Sequence, residues 1–191
     1  MILATGNRHK VAEMRELLPG VELEPLPEGF EMPPEDGDSF EANALIKARA
    51  AHAASGAQAL ADDSGIEAYD LDGAPGIYSA RYAGEGADDE TNLDKLLREV
   101  DAAGGDRRAA YVCVLALIDA DGTEHVFEAI CDGRLLRERR GRGGFGYDPI
   151  FVPDDTGSDD ERTMSEIGQA EKNEISHRGR AARLLAAHLR E

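Results

Sequence analysis

The stretch AAYVCVLALI at 109–118, DADG at 119–122 and TEHVFEAIC at 123–131 decides the fold class. Two strong strand patterns flank a short Asp/Gly turn, which is a hairpin signal and puts antiparallel neighbours in the sheet. The chain ahead of it reads differently. Met1–Ala4 is a short apolar run that stops at Thr5-Gly6-Asn7; Val11, Met14, Leu17 and Leu18 then fall on one helical face, which Pro19-Gly20 ends. Val21, Leu23 and Pro25 suggest an edge-type strand, and Pro27 to Asp38 an acidic loop. Asp38 and Glu41 form a capping box for an Ala-rich helix from Ser39 to Ala54. Gln58–Ala61 reads as a buried strand entering Asp62-Asp63-Ser64-Gly65, and Ile66–Leu71 as the segment leaving it. A helix beginning near Asp88 or Asp89 carries Leu93, Leu96, Leu97 and Val100, and an amphipathic helix from Ile175 to Leu189 closes the chain. Alternating strands and helices followed by a hairpin imply an α/β fold with a mixed sheet.

A length of 191 residues, 41% hydrophobic, is enough for one compact domain with a sizeable core. With 21 Lys+Arg against 39 Asp+Glu the net charge is −18, which opposes non-specific binding to nucleic acid or anionic membrane. A small anionic substrate stays possible, because a local basic pocket or a divalent cation reverses the sign. There is neither a membrane-length apolar run nor a signal-peptide pattern, so the expected location is cytoplasmic. Cys113 and Cys131, symmetric about the hairpin turn, read as a reduced buried pair facing each other across the ladder. His52, His125 and His188 have no metal-ligand spacing and read as ordinary histidines. Arg134, Arg137, Arg139, Arg140 and Arg142 read as a solvated or interface strip, and Arg180, Arg183 and Arg190 as a solvated helix face.

Four segments carry possible chemistry. At Thr5-Gly6-Asn7-Arg8-His9-Lys10, a strand-to-helix corner, a glycine admits a close anion, a helix N-terminus adds positive potential and Lys10 reaches a phosphate. The same residues also suit a plain turn with Asn7 as N-cap. Asp62 and Asp63 at a strand end suit a hard cation such as Mg²⁺, with Glu35 and Glu41 as further carboxylates, or form an ordinary acidic turn. In Gly143-Gly144-Phe145-Gly146-Tyr147-Asp148-Pro149, glycines around an aromatic ring suit stacking on a base; alternatively the aromatics fold back into the core. Finally, Ser176 or Asn173 can cap the last helix, which puts His177 and Arg178 in its first turn and Lys172 just before it. Cations are electrostatically unfavourable at a helix N-terminus, which suggests donors held for carbonyl or phosphate oxygens.

In this order, TGNRHK at 5–10, SFEANALIKARAA at 39–51, ALADDSGIEAYDLDGAPGIYSARYAG at 59–84, GGFGYDPIFVPD at 143–154 and AEKNEISHRGRA at 170–181 resemble the inosine triphosphate pyrophosphatase family, the house-cleaning dITP/XTP pyrophosphatases. The resemblance implies one domain over residues 1–191. It is expected to be an elongated α/β fold with a central mixed sheet flanked by helices and a substrate cleft between two lobes, working as a homodimer. It implies Mg²⁺-dependent hydrolysis of ITP, dITP and XTP to the monophosphate and pyrophosphate. By the same resemblance Thr5, Gly6, Asn7, Arg8, His9 and Lys10 hold the triphosphate. Asp63 is general base and metal ligand, with Ser64 beside the substrate. Phe145, Gly146, Tyr147 and Asp148 receive the nucleoside, and Lys172, His177 and Arg178 contact the base. The second metal carboxylate falls on Glu35, with Glu41 as the alternative. A pyrophosphatase for modified pyrimidine nucleotides and a nucleotide sensor without turnover are the competing classes.

Overall fold

The computed structural model describes residues 1–190. Five strands, β1 (Ile2–Ala4), β2 (Ala59–Ala68), β3 (Arg108–Ile118), β4 (Glu124–Leu135) and β5 (Phe151–Pro153), form one sheet in the order β1-β2-β3-β4-β5. β1 runs parallel to β2, with Leu3 opposite Leu60, and β5 runs antiparallel to β4, with Arg134 opposite Val152. The mixed α/β sheet expected from the hairpin is therefore present. The helices are α1 (Arg8–Leu17), α2 (Phe40–Ser55), α3 (Asp89–Ala103), α4 (Gln169–Ile175) and α5 (His177–His188).

Local chemistry sets the helix ends. The Asn7 side chain accepts from the backbone N–H groups of His9 and Lys10 and opens α1, and Asp88 accepts from Thr91 N–H and opens α3. For α2 the cap is Ser39, whose Oγ accepts from Ala42 N–H at 3.1 Å, and not Asp38. Gly56 and Gly104 end α2 and α3 at φ +64° and +71°.

Three of the expected elements change. The strand at Val21–Pro25 shrinks to a single bridge between Glu24 and Ile2; Pro25 brings no N–H with which to extend the ladder. The Asp62–Gly65 segment is not a turn: β2 runs through it without a break. The closing helix is two helices, because Ser176 is extended (ψ 154°) and its Oγ caps α5 by accepting from Gly179 N–H at 3.1 Å. Arg180 stays partly exposed, as expected, while it donates to the carbonyl of Ile130 at 2.7 Å and pairs with Asp155.

The chain forms two compact units from interleaved segments. One takes Met1–Asp63, Cys113–Ala129 and the chain from Ala181 onward; the other takes Ser64–Val112 and Ile130–Arg180. In the first, Met14 of α1, Leu18 just after it, and Ala181, Ala182 and Leu185 of α5 pack on Leu60, Cys113, Leu115 and Leu117. In the second, Leu93, Leu96 and Val100 of α3 pack with Ile66, Tyr111, Cys131, Leu135 and Phe151. Burying these side chains is the main favourable term in each unit, at roughly 25 cal/mol per Å² of apolar surface. Cys113 and Cys131 are free and buried, but they belong to different cores and so do not form the pair expected across the ladder.

Candidate active site

Successive residues of a strand point to opposite faces, and β2 uses this to send Asp62 and Asp63 to different partners. Both are buried. Asp62 pairs with Lys10 of the first turn of α1, and its other oxygen lies 3.5 Å from Cys113 Sγ. Asp63 Oδ1 accepts from Lys47 Nζ at 2.6 Å. The same ammonium donates to Glu35 Oε1 at 2.6 Å and to the Asp62 carbonyl at 2.9 Å. Lys47 is only 4% exposed, so two carboxylates from separate segments converge on one buried cation.

Three local features build this centre. Lys47 lies on the buried stripe of α2 with Phe40, Ala44, Ala48 and Ala51, which leaves its ammonium no route to water along its own helix face. Glu35 sits on the loop before α2, and that loop is latched where Asn43 Oδ1 accepts from Gly37 N–H at 2.9 Å. A Cβ on Gly37 would lie 2.7 Å from Asn43 Oδ1 and 2.8 Å from Ala42 Cβ, so the latch needs glycine. Burial raises the Asp63 carboxyl above its ordinary value, an effect that Lys47 and Lys10 oppose without cancelling. Burial works to lower Lys47, yet Asp63 and Glu35 together outweigh it and hold the ammonium above its usual range. Glu41, the alternative carboxylate, is exposed in the first turn of α2.

At the corner between β1 and α1, Thr5 Oγ1 accepts from Asn7 N–H at 3.1 Å. Gly6, Asn7, Arg8 and His9 are exposed and Lys10 half-buried. A Cβ at Gly6 would meet nothing within 4 Å, so packing within the protein does not demand a glycine there.

The second unit holds a different cluster. Asp148 is buried, and both its oxygens are engaged: Oδ1 by Tyr111 Oη at 3.1 Å, Oδ2 by Lys172 Nζ at 2.8 Å and by Phe145 N–H at 3.0 Å. A Cβ on Gly144 would come within 2.1 Å of Asp148 Oδ2. The half-buried Phe145 ring lies 5.2 Å from Lys172 Nζ and 5.8 Å from Arg178 Cζ, within cation–π range of both. His177 stacks on Tyr111, with centroids 4.5 Å apart and planes 6° from parallel. Arg178 Nη2 donates to Ser64 Oγ at 2.7 Å. Gly146 N–H donates to Asp89. Tyr147 departs from the nucleoside-facing expectation: its ring is in the core and its hydroxyl donates to the Ser79 carbonyl at 2.7 Å.

Lys47, Asn43 and Tyr111 escaped the sequence reading as site residues. Lys47 had a legible signal, a lysine on the apolar stripe of an Ala-rich helix; Tyr111 had none, since it reads as one more residue of a buried strand.

An acid–lysine centre on the strand of a mixed sheet defines a class, the α/β proteins with a buried carboxylate centre. Within that class the chain belongs to the Ham1 family, whose model matches residues 1–188. It is 47% identical over 195 residues to a dITP/XTP pyrophosphatase of Thioalkalivibrio sulfidiphilus, covering 99% of this chain and 97% of that one. To the protein of the same name from Mycolicibacterium paratuberculosis it is 46% identical, covering 99% and 95%. Among solved structures it is similar to a HAM1 protein from Coxiella burnetii, with a TM-score of 0.87, 40% identity and coverage of 98% and 96%.

Proposed function

We propose that this chain hydrolyses non-standard purine nucleoside triphosphates (ITP, dITP, XTP) to the monophosphate and pyrophosphate and so removes them from the nucleotide pool. The observation that carries the reading is the convergence of Asp63 and Glu35 on a single buried cation, in a chain whose curated relatives are named dITP/XTP pyrophosphatases. That donor set fits Mg²⁺. Both side chains offer hard oxygen ligands, and both already meet at one positive charge. Glu35 and Asp63 would hold the ion, and when bound it would supply charge neutralisation for the polyphosphate.

The protein's own groups account for the rest. Asp63, with its raised affinity for a proton, takes one from the water that attacks the α-phosphorus, and the bond from that phosphorus to the pyrophosphate oxygen breaks. Lys10 and the Gly6 and Arg8 N–H groups of the Thr5–His9 corner bind phosphate oxygens, for which the open space at Gly6 leaves room. Phe145 offers a ring face to the nucleoside. Lys172, His177 and Arg178 offer donors to the base, with Arg178 aligned by Ser64. Such donors match the C6 carbonyl of hypoxanthine and xanthine, whereas the amino group of adenine would leave one of them unsatisfied. Asp148 acts at one remove by anchoring Lys172 and the Phe145 backbone.

The same reading takes the working form to be a cytoplasmic homodimer that engages neither nucleic acid nor membrane. The net charge of −18 supports the part of it that concerns nucleic acid and anionic membrane, and among the described residues no helix is long and apolar enough to cross a membrane. The test is pyrophosphate release from a panel of nucleoside triphosphates with and without Mg²⁺. Release from ITP and XTP in Mg²⁺ with little from ATP is expected; equal turnover of ATP, or full activity in chelator, overturns it.

A further inference from the structure

Apart from the residues given a role above, the sequence places Asp119 just after β3, His125 at the start of β4 and His188 at the last residue of α5. Their spacing carries no ligand pattern, yet the fold brings one ligand atom from each to within 4.8 Å of the other two. His125 Nε2 and Asp119 Oδ2 are 2.8 Å apart, and the rings of His125 and His188 lie 4.2 Å apart at 45°. Two imidazoles and one carboxylate at these separations form a three-ligand set with a fourth position open to solvent.

The supports around the cluster are those of a built site. Asp119 Oδ1 is held by Gln58 Nε2 at 2.7 Å, which fixes the carboxylate and turns Oδ2 towards His125. Asp119 N–H donates to the Thr123 carbonyl and Gly122 N–H to the Asp119 carbonyl, so the turn that presents the first ligand is itself closed. Phe127 walls the far side of His188 at 5.5 Å. All three ligands are half-buried, shielded enough to be ordered and open enough for an ion to enter.

We propose that Asp119, His125 and His188 form a zinc site that clips the end of α5 to the β3–β4 hairpin. Zinc is the ion this set selects, because imidazole nitrogen suits a borderline transition metal and tetrahedral coordination, while Mg²⁺ demands six oxygens. Binding replaces the hydrogen shared by His125 Nε2 and Asp119 Oδ2 with the metal and releases a proton if the imidazole was charged. The site is separate from the Asp63 centre in ligands and in metal, and its role is to stabilise the unit that α5 helps to build.

The test is calorimetric titration of the untagged full-length chain with Zn²⁺, in a millimolar excess of Mg²⁺ to saturate oxygen-donor sites, alongside thermal melting. One tightly bound zinc per chain is expected. At a hundred-fold excess over Kd, the melting temperature should rise by roughly 5–10 °C. Both effects should be lost in His125→Ala/His188→Ala and greatly weakened in Asp119→Asn, while Mg²⁺-dependent turnover stays as in the parent. His188→Gln, which keeps side-chain bulk at the helix end, should also lose the zinc-dependent shift. Zinc binding unchanged in the double variant, or no zinc-dependent shift in the parent, overturns the proposal.

Discussion

Arg178 and Ser64 are 114 positions apart in sequence and joined by a 2.7 Å hydrogen bond. Ser64 directly follows Asp63, so the guanidinium proposed to read the base is tied to the residue next to the proposed general base. The guanidinium spreads its donors over separate nitrogens in a fixed plane, so one can hold Ser64 while another faces a purine, whereas lysine carries all its donors on a single nitrogen.

Arg178→Lys should therefore lower kcat/KM for ITP by about 10–100-fold, close to the 1–3 kcal/mol of one charged hydrogen bond, and narrow the preference for ITP over ATP. Steady-state kinetics with the two nucleotides checks this; an unchanged ratio would remove Arg178 from base recognition.

Asp63→Asn should lose at least about 10²–10⁴ in kcat, the usual worth of an oriented general base, with a melting transition that stays cooperative but falls in temperature, because Lys47 loses a buried counter-charge. In the parent, burial raises the Asp63 carboxyl, and a base works only when deprotonated. Protonation would remove both the base and a Mg²⁺ ligand, so kcat must fall on the acid side of its pH profile. A rate that did not fall at acid pH would contradict the assignment.

Lys47→Met leaves Asp63 and Glu35 facing each other without their shared cation. Breaking a buried ion pair costs about 3–5 kcal/mol, on the order of 10 °C in melting temperature for a chain of this size. Added Mg²⁺ should restore part of the loss by taking the vacated charge position. The informative result is the difference between melts with and without Mg²⁺; equal melts would mean the two carboxylates share no cation site.

Gly179→Ala sets two effects against each other. Helix propensity favours alanine by about 1 kcal/mol, but the new Cβ would lie 1.9 Å from the Asn173 carbonyl oxygen. Backbone cannot yield as a side-chain end can, so the clash wins and urea denaturation should show a loss of about 1–3 kcal/mol. A gain in stability would show that α4 and α5 do not approach so closely.

Where pattern is local, the chain could be read directly. The hairpin at 119–122, the Asn7 and Asp88 caps and the apolar faces of α1 and α3 rest on neighbours within a turn or two. Asp62–Gly65 misled because an acidic run ending in glycine resembles a turn, while long-range pairing and the buried partners Lys10 and Lys47 make it strand. Ser176 was legible as a cap of the last helix; the short helix α4 before it was not, because the apolar period runs on without a gap. Tyr147 and Phe145 are two residues apart in one glycine loop, and only the third dimension separates a core ring from a half-buried one. The convergence of Asp119, His125 and His188 likewise has no trace in spacing, since one ligand comes from the far end of the chain.

The interleaving of the two units sets the order in which this protein can be made. Ala181, Ala182 and Leu185 are synthesised long after Leu3, Met14 and Leu60, yet they share a core with them. Synthesis delivers domains from the N-terminus onward, and contacts this distant in sequence close slowly. The unit holding Lys10, Lys47 and Asp63 must then wait for the C-terminal helix before its apolar surface is covered. A ribosome stalled before Ala181 carries every charged residue of the acid–lysine centre, but lacks part of the core on which that centre stands.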